Sequence, residues 1–343
     1  MTAVAEHPSA ERVDADPALR VEDLTVDIRT ISGTVRAVDH VTFAAHRGET
    51  LALLGESGCG KSMTATALVG LLEPVAEVTS GTAELAGRNE TADLLALDRK
   101  KRRQMAGTEL AIVFQDALTA LNPLYTVGTQ LAEPFRIHHG MKAKEAKRKA
   151  VELMARVGIP QPQERMNSYP HQFSGGMRQR LLIAMAVALN PRVLIADEPT
   201  TALDVTVQAQ IMALLKSLRT EYDMAVVLIT HDLALVAEEA DRVAVMYAGN
   251  VVETGSVAEV FANPKHPYTK GLLNSVPVNA ERGAHLKSIG GAPPDLHSIP
   301  EGCVYQARCP LASDVCRSTR PTLAPVGARR KSACHFPEEV TNV

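Results

Sequence analysis

Thr50-Leu51-Ala52-Leu53-Leu54-Gly55-Glu56-Ser57-Gly58-Cys59-Gly60-Lys61-Ser62 is the stretch on which the reading of this chain turns. Thr50 to Leu54 is a short apolar run, as expected of a strand buried on both faces. Gly55 to Ser62 satisfies G-x-x-x-x-G-K-[S/T], and a helix is predicted from about Lys61 to Leu72. The glycines permit a tight loop whose backbone N–H groups converge on phosphate oxygens. The helix N-terminus adds partial positive charge at the same place. Lys61 is expected to reach outer phosphates and the Ser62 hydroxyl to ligate Mg2+. The expected binding set is Gly55, Glu56, Ser57, Gly58, Cys59, Gly60, Lys61 and Ser62, with Met63 just beyond.

Outward from this loop, Val193-Leu194-Ile195-Ala196 and Ala225-Val226-Val227-Leu228-Ile229 read as two more buried strands. The first ends in Asp197-Glu198. An acid at the carboxyl end of a parallel strand faces the crevice where ligands bind. Asp197 is therefore expected to hold Mg2+, and Glu198 to orient or deprotonate an attacking water. His231 follows the second run and Gln115 follows Ala111-Ile112-Val113-Phe114, so both belong at neighbouring strand ends. A single histidine among eleven is more often structural, and position is what makes His231 a candidate to meet a terminal phosphate or the water. Gln115 offers a neutral amide to Mg2+ or water. Ser174-Gly175-Gly176 precedes a helix predicted over Met177–Leu189 and offers either a plain cap or a second anion site.

Residues 20–53 alternate apolar and polar in short runs, as antiparallel strands do. Apolar residues at helical spacing predict a helix over Ala143–Val157. Strands alternating with helices predict an α/β core with a mostly parallel sheet, and residues 116–190 read as a helical insertion into it. After about residue 262 prolines recur and long helices become disfavoured, so 263–343 reads as a small separate appendage. Residues 1–18 read as a disordered tail with no apolar signal-peptide core.

The net charge of −3 is too small to make nucleic acid or an anionic membrane surface a dominant partner. The run Arg99–Arg103 reads as a solvated loop or helix face. No apolar stretch approaches the roughly 20 residues needed to cross a bilayer, so the chain is expected in the cytoplasm, with any membrane role coming through a partner. Four of five cysteines lie in Cys303-x5-Cys309-x6-Cys316-x17-Cys334. In a reducing compartment such clustering suggests a metal before disulfides. The spacing matches neither zinc ribbons nor ferredoxin runs, and leaves an iron–sulfur cluster, Zn2+ and free thiols open.

Taken together these motifs resemble the ATP-binding cassette (ABC) ATPases over nearly the whole chain. Gly55–Ser62 is similar to Walker A, Gln115 to the Q-loop glutamine and Phe173–Met177 to the signature motif. Val193–Glu198 is similar to Walker B, Thr201-Ala202-Leu203-Asp204 to the D-loop and His231 to the H-loop histidine. The run Asp197–Gln210, the pattern Lys265-His266-Pro267-Tyr268-Thr269 and the cysteine-bearing tail resemble the oligopeptide/dipeptide importer branch. Met177 after the glycines resembles its D-type ATPase.

The resemblance implies an ABC-type P-loop ATPase core over 19–262: a mostly parallel α/β sheet, an antiparallel β subdomain and a helical subdomain. It implies that ATP is sandwiched between Walker A of one subunit and Ser174, Gly175, Gly176 and Asp204 of another. The implied partners are a second ABC ATPase, of the F type, and two transmembrane permeases. An extracytoplasmic substrate-binding protein takes part indirectly, and nucleic acid does not. The implied location is the cytoplasmic face of the bacterial cell membrane. Similar tails in the family resemble four-cysteine [4Fe–4S] sites, so the resemblance implies a cluster at Cys303, Cys309, Cys316 and Cys334, with Zn2+ the alternative. Dipeptides, longer peptides, nickel chelates and glutathione stay open as cargo. A soluble nucleic-acid or ribosome ATPase is the rival class, and an exporter ATPase a third reading. One departure concerns adenine: no aromatic precedes Phe43, so no base-stacking residue is assigned.

Overall fold

Strand β3 (Thr50–Leu54) lies inside an eight-stranded sheet, and its alternate residues enter two different cores. In the computed structural model, which describes residues 16–88, 90–116, 120–275 and 289–342, Leu51 and Leu53 join one apolar cluster while Ala52 and Leu54 join another. The same division holds on β7 (Val193–Asp197) and β8 (Ala225–Thr230). Val193, Ile195, Val227 and Ile229 face the cluster of β3, and Leu194, Ala196, Val226 and Leu228 face a third. A strand covered on both sides has no polar face, and that is why these runs lack alternation. The expected residues 1–15 of the tail fall outside the described residues.

The remaining strands are β1 (Leu19–Thr30), β2 (Gly33–Ala45), β4 (Ala76–Ala86), β5 (Thr91–Asp93), β6 (Leu110–Val113), β9 (Arg242–Tyr247), β10 (Asn250–Ser256), β11 (Ala324–Gly327) and β12 (Arg330–Ser332). The large sheet runs β11-β12-β10-β9-β3-β8-β7-β6, and a four-stranded sheet runs β2-β1-β4-β5. Pairing is parallel from β6 through β9 and antiparallel from β9 through β11. The small sheet is antiparallel throughout, as the alternation of residues 20–53 predicts for its first two strands. This is the α/β cassette architecture expected of an ABC-type P-loop ATPase.

Helices stand close to where the sequence predicts them, at Lys61–Val69, Ala143–Arg156 and Gly175–Val187. The first stops short of Leu72 because Gly70 takes the left-handed conformation (φ 70°) and turns its N–H back onto Ala67 and Thr66 carbonyls. Arg99–Met105 is a helix capped by the Asp98 side chain, with no buried residue. Between β6 and β7 the helices Val127–His139, Ala143–Arg156 and Gly175–Val187 share the cluster that covers one face of the sheet.

The cysteine-bearing segment is not set apart from the sheet, contrary to its composition. β12 pairs with β10 through Glu253↔Ser332 and Thr254↔Lys331, and β11 pairs with β12. Arg330 on β12 reaches Glu253 on β10 at 2.6 Å, with both side chains buried. Glu253 also accepts the backbone N–H groups of Lys265 and His266, at 2.8 and 3.1 Å. Burial pushes the Glu253 carboxyl up, against the hydrogen bond from Arg330. His266 is 1% exposed, and burial drives its pKa down to about 3. Its neutral Nδ1 accepts the Tyr268 N–H at 3.1 Å and caps the helix Pro267–Asn274. Among the described residues no helix is long and apolar enough to cross a membrane.

Candidate nucleotide site

β3 leads straight into the loop and then into the helix Lys61–Val69. Gly60 stands before that helix with φ 101°, a conformation that L side chains avoid, and an added Cβ would lie 2.6 Å from the Ala37 carbonyl oxygen. No side chain caps the helix, so its first-turn N–H groups remain available to an anion. Lys61 is 5% exposed, and its Nζ donates to the carbonyls of Gly55 (2.8 Å) and Glu56 (2.9 Å). Cys59 turns inward: its Sγ lies 3.7 Å from Lys61 Nζ, and burial raises the thiol's pKa. It therefore fills space as a neutral group.

The ends of β6, β7 and β8 lie side by side because Val113 pairs with Ala196 and Asp197 with Ile229. That register gathers three site residues named from sequence. Glu198 Oε2 accepts from Gln115 Nε2 at 2.9 Å, and Glu198 Oε1 lies 3.0 Å from His231 Nδ1. Thr201 completes the group by donating its hydroxyl to Oε2 at 2.8 Å. Burial pushes the Glu198 carboxyl up, but the hydrogen bonds from His231 and Thr201 and nearby positive charge pull it further down, to a net value below normal. Glu198 itself has φ 45°, a costly conformation for a residue with a side chain, and its N–H is tied to the Ile229 carbonyl at 2.9 Å.

One residue earlier, Asp197 is 5% exposed, and its Oδ1 accepts the Ser62 hydroxyl at 3.0 Å. Burial raises the Asp197 carboxyl, the Ser62 bond opposes that, and Glu198 adds to it. A buried carboxylate beside a hydroxyl is an oxygen pair suited to a hard cation such as Mg2+.

Ser174, Gly175, Gly176 and Asp204 form a second place, apart from these hydrogen bonds. Ser174 caps the helix Gly175–Val187 through the Met177 N–H at 3.4 Å, and Asp204 caps Val205–Tyr222 through the Val207 N–H at 2.9 Å. The two helix starts touch, since a Cβ on Gly176 would lie 2.5 Å from Val207 Cγ1. Both caps present their free ends outward, and Val205 beside them is 84% exposed.

The expected metal ion at the cysteines is not borne out. Among the described residues no group of three or more His, Cys, Asp or Glu side chains is disposed to hold one. Burial is the main cause lifting the Cys309 thiol to about 12, and Cys303, Cys334 and Cys316 add to it. Hydrogen bonds run between and beside them. Cys303 N–H donates to the Cys316 carbonyl at 2.7 Å, and Cys334 Sγ accepts the Phe336 N–H at 3.4 Å. A single Zn2+ does not fit this arrangement.

Sequence reasoning passed over Thr201, Tyr268 and Arg308, although the first two lie inside stretches it singled out. Thr201's signal was a small hydroxyl one turn beyond the acid. The Tyr268 hydroxyl accepts the Glu56 N–H at 3.0 Å. Nothing in the local sequence of Arg308 reveals its partner, Glu56, 252 positions away.

Comparison with known proteins gives the family of the chain. Residues 38–201 match the family model described as ABC transporter, and residues 252–316 match that of the oligopeptide/dipeptide transporter C-terminal region. The chain is 51% identical over 307 residues to the dipeptide transport ATP-binding protein DppD of Bacillus subtilis, covering 89% of this chain and 90% of that one. It is 46% identical over 319 residues to DppD of Escherichia coli, covering 93% and 96%. Among solved structures, the dimeric post-hydrolysis ATP-binding cassette MJ0796 bound to ADP and Pi aligns with TM-score 0.61 and 27% identity, covering 70% of this chain and 98% of that one. Phosphate loop, strand-end carboxylates and C-terminal region thus coincide in one chain, which belongs to the ATP-binding subunits of the oligopeptide/dipeptide family of ABC transporters.

Proposed function

We propose that this chain binds ATP on Gly55–Ser62, hydrolyses it, and so powers peptide import through partner permeases. The observation that carries the reading is the gathering of Gln115, Thr201 and His231 on the Glu198 carboxylate, beside the Ser62–Asp197 pair. Lys61 exchanges its two carbonyl partners for outer phosphate oxygens. Ser62, Asp197 and Gln115 would hold Mg2+, which when bound neutralises phosphate charge. Glu198, held below the usual carboxylate range, stays ionised to orient and deprotonate the attacking water. His231 fixes Glu198 and lies where a terminal phosphate would come.

Residues 19–262 act as the nucleotide-binding domain and 263–343 as the importer-type extension. A second ATPase subunit, an F-type homologue, brings its signature motif over this chain's ATP, while Ser174, Gly175, Gly176 and Asp204 serve the ATP of that partner. The helical subdomain, 116–190, receives the permeases at the cytoplasmic face of the membrane, and Gln115 links it to Glu198. The DppD relatives support dipeptides as cargo, ahead of nickel chelates or glutathione. At the four cysteines we propose a structural or redox-sensing [4Fe–4S] cluster. The placing of four of the five cysteines in one C-terminal segment supports that choice. Co-purification tests the assembly: two permeases and a second ATPase should accompany the chain, and tight ribosome or DNA association without them would overturn it.

A further inference from the structure

Glu56, the second residue of the phosphate loop, sends its carboxylate to the C-terminal segment. Arg308 Nη1 donates to Glu56 Oε2 at 3.0 Å and Nη2 to Oε1 at 3.2 Å, a two-pronged bond. The Arg308 side chain is only 5% exposed. Its other N–H groups reach the carbonyls of Gly290 (2.9 Å) and Ile289 (3.3 Å) and the Tyr247 hydroxyl (3.4 Å). Its guanidinium lies over the rings of Tyr247 and Tyr305, at 5.7 and 6.0 Å. The fork is thus locked from all sides before it meets Glu56.

The backbone of Glu56 is held as well. Its N–H donates to the hydroxyl of buried Tyr268, whose ring packs on Tyr247 at 4.6 Å and Tyr305 at 5.5 Å. Its carbonyl accepts Lys61 Nζ at 2.9 Å. One loop residue is therefore gripped at side chain and N–H by the C-terminal region, and at its carbonyl by the lysine that must turn to phosphate.

We propose that Arg308 is a positioning residue of the ATPase: with Tyr268 it fixes Glu56, and through it the phosphate loop, so that the C-terminal region sets the affinity for nucleotide. A loop already held in its binding shape loses less freedom when phosphate arrives. Arg308 never touches the nucleotide; it acts through Glu56. The proposal rests on the reading that ATP phosphates lie on this loop.

The test is a cycle of Arg308→Gln, Glu56→Gln and the double variant in the full-length chain. ATP affinity is measured directly, with KM and kcat in the assembled transporter. Each single change should weaken ATP binding and raise KM roughly tenfold, within the usual span of such couplings, with kcat within about twofold. The double variant should be no worse than either single, because one bond is lost in all three. Should Arg308→Gln fail to fold, Glu56→Gln and Tyr268→Phe carry the same expectation from the loop side and the backbone side. Unchanged or tighter ATP binding in the singles, or additive losses in the double, would overturn the proposal. Wild-type protein that binds no ATP would overturn the nucleotide reading and this proposal with it, whereas equal binding by wild type and variants overturns this proposal alone.

Discussion

Gln115 Nε2 donates to Glu198 Oε2 at 2.9 Å, joining the end of β6 to the end of β7. The helical insertion begins at the first of these residues, and the second is the residue assigned to activate water. In the proposed function, movement of the insertion against the sheet would act on Glu198 through this bond. Gln115→Ala should leave ATP affinity within about threefold while lowering the stimulation of hydrolysis by permeases and peptide about tenfold or more. Stimulation at the wild-type ratio would count against this link.

Lys61→Ala removes the cation expected to meet the outer phosphates. A hydrogen bond to a charged group is worth about 1.5–3 kcal/mol, so ATP binding should weaken by at least about tenfold in equilibrium measurements. Unchanged affinity would remove Lys61 from the phosphate contact.

The acid side of the pH–rate profile reports on Glu198. Its folded pKa lies below the ordinary carboxylate value of about 4.3. The carboxylate therefore remains ionised, and its stabilising bonds remain formed, as pH falls through that value, and both are lost only lower. Thr201→Val removes one bond that lowers the pKa while leaving the burial that raises it, so the acid limb of kcat should move upward. A limb unmoved by this change would mean that Thr201 does not tune the base.

Glu253 and Arg330 lie buried at 2.6 Å, linking β10 to β12. Breaking one member leaves an uncompensated buried charge, so Glu253→Ala should cost about 3–5 kcal/mol in denaturant melts. The paired change Glu253→Gln with Arg330→Met, which keeps an amide oxygen for the backbone N–H groups of Lys265 and His266, should cost less. Equal losses for the single and the pair would show that the ion pair is not what ties the C-terminal strands to the sheet.

Anaerobic purification tests the thiols of Cys303, Cys309, Cys316 and Cys334. The cluster proposal expects bound iron with visible absorbance, both lost in Cys309→Ser. A colourless protein carrying stoichiometric zinc, or one without metal, would contradict it.

The fold was legible where burial is two-sided or periodic. β3, β7 and β8 show as apolar runs, and the helix near 143–156 shows its spacing, because local pattern and tertiary burial agree there. The site was legible for a related reason. Residues at strand ends, such as Gln115, Glu198 and His231, are brought together by parallel register alone. The C-terminal strands were not legible. Pro325, Arg330 and Lys331 have no strand pattern, and what ties β12 to β10 is its pairing with Glu253 and Thr254 and the Arg330–Glu253 ion pair, whose members lie 77 positions apart. Likewise nothing near Arg308 announces Glu56; long-range ion pairs leave no periodic trace.

The most direct test of the central claim is ATP turnover and dipeptide uptake by the transporter reconstituted from this chain, its partner ATPase, the permeases and the binding protein, with wild type set beside Glu198→Gln. Dipeptide should stimulate hydrolysis and accumulate in wild-type vesicles. Glu198→Gln should still bind ATP while both activities fall about a hundredfold or more. Wild-type hydrolysis indifferent to peptide, or a Glu198→Gln transporter turning over ATP at the wild-type rate, would contradict the account.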